Sequence, residues 1–84
     1  MNTTEADRLL RVCVHEVAPE ADLTTLAPDT DLREALHLDS LDFLQVVELL
    51  SERTGQRIDE DDYPRLATMA GATAFLAQRQ ATSA

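Results

Sequence analysis

The sequence predicts an all-α fold, a small four-helix bundle of three longer helices and one short helix with a long first loop. Apolar residues recur every three or four positions along three stretches, as they do on the buried face of a helix. No stretch shows the apolar alternation of a half-buried strand. The 84 residues suffice for one domain, residues 1–84, with an ordered core of about 3–79 and a frayed tail at 80–84.

The first predicted helix begins at Thr3 or Thr4, since either hydroxyl can cap it. Pro19 ends this helix one or two residues earlier, because a proline disfavours helical backbone in the residue before it. The predicted buried stripe, with Val14 at its edge, consists of Ala6, Leu9, Leu10, Cys13 and Val17.

A long, mostly irregular segment follows, at residues 19–38. Leucines punctuate it and need cover from water, so we expect the loop to lie across the bundle, with a helical turn possible at 31–36. Asp29, Thr30 and Asp31 suggest a calcium loop. That interpretation fails because the sixth and twelfth positions, which need glycine and an acid, are Glu34 and Ser40.

The central helix is predicted at residues 41 to about 54, ending at Gly55. Asp39 and Ser40 precede it, and both are favoured N-cap residues. Its core stripe is Phe43, Val46, Val47 and Leu50. Leucines at 41, 44 and 49 lie off this stripe among acidic residues. This second face is either covered by loop leucines or is an acidic docking surface with an apolar anchor.

A short helix is predicted at about 61–67, with Pro64 in its first turn and Tyr63 and Leu66 directed inward. Thr68 can cap the last helix, which Gly71 weakens slightly. The inner stripe of that helix, with Phe75 beside it, is Met69, Ala72, Thr73 and Leu76.

The composition excludes several functions. A net charge of -9 makes binding to nucleic acid or to an anionic membrane surface unfavourable and favours partners with basic patches. The single cysteine, Cys13, allows no intrachain disulfide. No apolar run is long enough to span a membrane, and the first residues do not form a signal peptide, so we expect a cytoplasmic protein.

Catalysis by the chain itself is not expected. His37, Asp39 and Ser40 are the residue types of a hydrolase triad, but neighbours at a helix start cannot align as base, acid and nucleophile. One cysteine and two distant histidines give no recognised metal-ligand spacing, so no metal site is expected. The two glycines cannot form a phosphate-binding loop.

Four segments together resemble the acyl carrier proteins, the phosphopantetheine-binding four-helix carrier domains. Residues 31–36 (DLREAL) resemble the loop before the family's serine, and 38–42 (LDSLD) its attachment motif. Residues 46–52 (VVELLSE) resemble its recognition helix, and 58–61 (IDED) the start of its short third helix. The resemblance extends over about residues 3–79.

The resemblance implies that Ser40 carries 4′-phosphopantetheine, transferred from coenzyme A by a phosphopantetheinyl transferase, with Asp39 flanking it. The terminal thiol of this arm would hold acyl groups as thioesters for fatty-acid or polyketide-type biosynthesis. Further partners would be acyl-loading, ketosynthase-type or other pathway enzymes with basic patches, and the carrier would be a monomer. The implied docking residues are Leu41, Asp42, Leu44, Glu48 and Glu52. The implied acyl cavity is lined by residues such as Val46, Leu50, Ile58 and Leu66.

His37 departs from the family pattern, which often has glycine three residues before the serine. Glycine adopts positive φ readily and histidine less so, so the loop geometry before Ser40 is in question. Two alternatives stay open at this point. The chain could be a peptidyl or aminoacyl carrier of a nonribosomal or related specialised pathway, or an unmodified acidic interaction module in which Ser40 is only a helix cap.

Overall fold

The computed structural model describes residues 1–82, apart from the side chains of Thr25 and residues 79–82. The α-helices in this range are α1 Thr3–Val17, α2 Leu32–Ala35, α3 Ser40–Thr54 and α4 Met69–Thr82, with 3-10 helices at Leu23–Thr25 and Glu60–Leu66. Within it no strand forms, only an isolated bridge between Asp31 and Thr68, so the all-α prediction is confirmed. The last two residues of the predicted frayed tail, 83–84, lie outside the described residues.

Side-chain caps fix where the helices begin. Asn2 caps α1 by accepting a hydrogen bond from the Glu5 amide at 2.8 Å, so the prediction of a cap at Thr3 or Thr4 was wrong. Asn2 has extended backbone and places its side-chain oxygen over the first turn, as a cap must. At α4, the Thr68 hydroxyl oxygen accepts from the Gly71 amide at 3.0 Å, as predicted.

One apolar core joins the elements, with α1 packed against both α3 and α4. Val14 is only 1% exposed and belongs to this core, whereas Leu9 and Val17 are partly buried at its border. The predicted edge of the α1 stripe therefore lies inside the core. The remaining buried apolar residues are Ala6, Leu10, Cys13, Leu32, Leu36, Leu38, Phe43, Val46, Val47, Leu50, Leu66, Met69, Ala72, Phe75 and Leu76.

The long first loop lies across the bundle, as predicted, and hydrogen bonds to its backbone carbonyls hold it there. Arg11 on α1 donates to the Leu23 carbonyl oxygen at 2.8 Å. The Pro28 carbonyl accepts from the Ala70 amide at 2.8 Å, near the start of α4. The leucines at 32, 36 and 38 are buried. These contacts place α2 and the turn before α3 at one end of the bundle.

The short helix differs from its prediction in type and in register. It is a 3-10 helix at Glu60–Leu66, so Pro64 is its fifth residue and not part of its first turn. The Asp62 amide donates to the Asp59 carbonyl at 2.9 Å, three residues earlier, which is the tighter 3-10 pattern. Leu66 is buried and Tyr63 is partly buried, so both pack inward as expected.

Candidate functional site

Ser40 is the first residue of α3, and its side chain is exposed. The preceding residue, Asp39, caps the helix by accepting from the Asp42 amide at 2.8 Å. Helix α3 therefore begins one residue earlier than predicted, with Asp39 outside it and Ser40 on its first turn. An anion on the Ser40 oxygen would lie beside first-turn amides, where the helix dipole is positive.

The turn before Ser40 is closed by a residue in the left-handed conformation. His37 has φ of 55°, and His37 and Leu38 donate backbone hydrogen bonds to Glu34 and Arg33 at 3.4 and 2.9 Å. This pair of bonds is a common helix C-terminal turn, whose left-handed position is usually glycine. His37 thus adopts the conformation that glycine would supply, and the turn leads directly to Asp39 and Ser40.

Arg33 is a site residue that the sequence analysis did not single out. Its guanidinium donates to the Ser40 hydroxyl oxygen at 3.1 Å and lies over the Phe43 ring, 5.8 Å from the ring centroid. The sequence signal that could have identified it is a lone arginine among the acidic residues that precede Ser40. The contact itself could not be predicted, because it depends on how the turn at His37 folds Arg33 back towards α3.

An open groove of about 570 Å³ adjoins Ser40. One wall is aromatic, since Tyr63 meets Phe43 edge-on with ring centroids 5.7 Å apart. Val46, Leu50 and Leu66, which the implied acyl cavity was to include, are packed in the core and do not line this groove, nor does Ile58. The groove is lined by Asp31, Arg33, Ser40, Phe43, Leu44, Glu60, Tyr63, Pro64 and Ala67.

The implied docking residues separate into three positions. Leu41, which is 62% exposed, shares the outer stripe of α3 with Glu48 and Glu52 because these residues are seven and eleven positions apart. Leu44, 37% exposed, lies at the groove beside Ser40. Asp42 is partly buried and lines a different hollow, together with His37.

A second concave region of about 400 Å³ lies between the end of α1 and the outer side of α3. Its floor includes the partly buried Leu49, which the sequence placed off the core stripe. Glu16 at its border forms an ion pair with Arg53. The acidic outer stripe of α3 therefore continues into a shallow hollow with an apolar floor, lined by Glu16, Val17, Gln45, Glu48, Leu49 and Glu52.

Other kinds of site find little support in the part of the chain that the structure describes. No group of three or more His, Cys, Asp or Glu side chains there is arranged to hold a metal ion. Cys13 is fully buried, and burial raises the pKa of its thiol, which opposes formation of a nucleophilic thiolate. No helix among the described residues is both long and apolar enough to cross a bilayer.

The residues at Ser40 fit a phosphate-linked arm. Ser40 is exposed, a guanidinium lies 3.1 Å from its hydroxyl oxygen, and a groove with one aromatic wall begins at the same residue. A comparison with protein families matched residues 8–76 to the model described as phosphopantetheine attachment site. The comparison with curated proteins gave no match. The matched range begins within α1 and reaches into α4, so it includes Ser40 and the groove.

Proposed function

The chain belongs to the phosphopantetheine attachment site family, and on that premise we propose that it is an acyl carrier protein modified at Ser40. The family's cofactor is covalently attached 4′-phosphopantetheine, so the chain is a phosphopantetheine carrier. Carrier domains interact with a phosphopantetheinyl transferase and with pathway enzymes, and they are generally not catalytic. When attached, the arm supplies a terminal thiol on which a cargo is held as a thioester.

The exposure of the Ser40 hydroxyl is the observation that carries this assignment. Only one other serine, Ser51, lies within the matched range. Its hydroxyl donates to the Gln56 carbonyl at 2.5 Å on a partly buried side chain, so it is already engaged within the fold. Ser40 instead begins a 15-residue helix, where a phosphodiester is stabilised by the helix dipole.

For the cargo, we propose acyl groups of fatty-acid or polyketide type. The groove beside Ser40 has an apolar part formed by Phe43, Leu44, Tyr63 and Pro64, next to charged residues at 31, 33 and 60. The apolar part suits a hydrocarbon chain. The chain would perform no catalysis itself. It would present the cargo to enzymes that do.

For partner docking, we propose the outer side of α3. Leu41 supplies an exposed apolar anchor, with Leu44 beside it at the groove. Glu48 and Glu52 add negative charge along the same helix, which would steer basic partner surfaces to the anchor. Asp42 would act at the border of this surface, since its side chain is partly turned towards the hollow at His37.

Enzymatic loading tests the attachment residue. A phosphopantetheinyl transferase with coenzyme A should add one phosphopantetheine mass to the wild-type chain, read by intact-protein mass spectrometry. Ser40→Ala should abolish the added mass, and the matched control Ser51→Ala should retain it. Loading of Ser40→Ala, or no loading of the wild type under conditions that load a reference carrier, would refute the proposal.

A further inference from the structure

Arg33 is held by Ser40 and the Phe43 ring and not by a carboxylate. The chain has 16 Asp and Glu residues against 7 arginines, yet Arg8, Arg33 and Arg65 form no ion pair within the described residues. Of these three, Arg33 is the one that contacts Ser40. Within the described residues, Arg33 has no carboxylate oxygen within 4.0 Å, although Glu34 and Asp31 are close in sequence. The arginines that do form ion pairs are Arg11, Arg53 and Arg57.

The surroundings of Arg33 hold its guanidinium in place. The Phe43 ring lies under it at 5.8 Å, a cation–π contact that restrains its plane. One Nη atom contacts the Ser40 oxygen, which leaves most of its five N–H donors for other acceptors. Arg33 is also positioned by the turn that follows α2, because the Leu38 amide donates to the Arg33 carbonyl at 2.9 Å.

A phosphodiester is the acceptor that matches this arrangement. A phosphate bonded to the Ser40 oxygen brings its unesterified oxygens within hydrogen-bond reach of a guanidinium that already touches that oxygen. Arginine binds phosphate through two parallel N–H donors, and such charge-assisted bonds are stronger than neutral ones. The phosphate would lie between Arg33 and the positive end of α3.

We propose that Arg33 is a positioning residue for the arm, binding the phosphate on Ser40 and directing the arm into the adjoining groove. The direction follows from the lining, because Arg33, Ser40 and Phe43 border the same groove, which continues to Tyr63 and Pro64. This inference rests on the proposed modification of Ser40. By binding the phosphate, Arg33 would favour an arm that lies on the carrier's own surface over an arm that extends into solvent.

A stability cycle tests the inference. Unmodified and fully loaded forms are compared by thermal and urea unfolding for the wild type, Arg33→Gln, Arg33→Lys and the charge-matched control Arg8→Gln. Arg8 is an exposed α1 residue in a hollow with Thr3 and Thr73, away from the groove. A purely structural role for Arg33 would shift both forms of Arg33→Gln equally.

We expect loading to raise the folding equilibrium constant of the wild type by a factor about three- to tenfold larger than the factor for Arg33→Gln. This is the size expected for a partly exposed charge-assisted contact. Arg8→Gln should match the wild type, and Arg33→Lys should recover part of the effect because it keeps the charge but not the fork. Equal effects of loading in Arg33→Gln and the wild type would overturn the inference.

A spectroscopic measurement gives an independent result. In the ¹⁵N-labelled protein, the Arg33 Nε–H signal should shift on loading of the wild type, while the Arg8 signal should not. An unchanged Arg33 signal in a protein shown by mass to be fully loaded would also overturn the inference. Absence of loading in the wild type would instead refute the modification of Ser40, so the two failures are distinguishable.

Discussion

The left-handed residue three positions before Ser40 gives the sharpest prediction about how this sequence maintains its candidate site. His37 has φ of 55°, and its side chain is exposed, so changing it alters the backbone preference with little effect on packing. We therefore compare His37→Gly and His37→Val with the wild type. Glycine relieves the left-handed strain, whereas the β-branched valine increases it.

The magnitudes follow from two opposing contributions. Left-handed backbone costs an L-residue about 1–2 kcal/mol, with histidine towards the low end because it is enriched there. Glycine removes that cost but loses about 0.5–1 kcal/mol more backbone entropy on folding. His37→Gly should therefore stabilise the fold by about 0.5 kcal/mol, or roughly 2–4 °C in Tm. His37→Val should destabilise it by about 1 kcal/mol or more.

Gly55 provides a control for the energetic cost of left-handed backbone alone. It ends α3 with φ of 69°, and an added Cβ would meet no heavy atom within 4 Å. Gly55→Ala should therefore destabilise the fold by about 1 kcal/mol through conformation only. Urea unfolding measures all three variants. If Gly55→Ala destabilises the fold as expected but His37→Gly also destabilises it, then the left-handed backbone of His37 does not cost the fold stability. That result would refute the reasoning.

Three further predictions follow from other parts of the fold. Gly71→Ala should lower stability by about 1–3 kcal/mol despite the higher helix propensity of alanine, because the new Cβ would lie 2.5 Å from the Arg65 carbonyl oxygen; a gain in Tm would contradict this packing. Glu48→Gln should slow loading by the transferase at low salt more than the charge-matched Glu5→Gln on α1 does, and the difference should vanish at high salt; equal rates would exclude Glu48 from docking. Cys13 should be alkylated by iodoacetamide at least about tenfold more slowly in the folded than in the urea-unfolded protein at pH 8, since burial both shields the thiol and raises its pKa; comparable rates would show that α1 opens readily.

The family was accessible from the sequence because its evidence is local. The apolar spacing of α1, α3 and α4 and the position of Asp39 before an apolar helix depend on residues close together in the chain. The family match over residues 8–76 confirmed that interpretation. The loop leucines also fulfilled their prediction, since burial of apolar side chains leaves a long loop few other places to lie.

The errors came where local propensity allows more than one helix start or more than one type of helix. Three polar residues at the start of the chain can each cap a helix, and the structure selects Asn2 because of its backbone conformation. Pro64 suits a first turn by propensity, but the chain between α3 and α4 winds into the tighter 3-10 helix instead. Local propensity does not choose among such options, because the energy differences are smaller than those from tertiary contacts.

The sequence by itself determined the helical class, the serine at the start of the central helix and the acidic outer face of that helix. Only the tertiary structure decided the rest of the site: that Arg33 reaches Ser40, that Tyr63 packs edge-on against Phe43 in one wall of the groove, and that Gly71 allows the close approach of the Arg65 carbonyl. The physical reason is the distance along the chain over which each interaction acts. Periodicity and capping act within a few residues, whereas these contacts join elements whose relative positions are fixed by packing of the shared core.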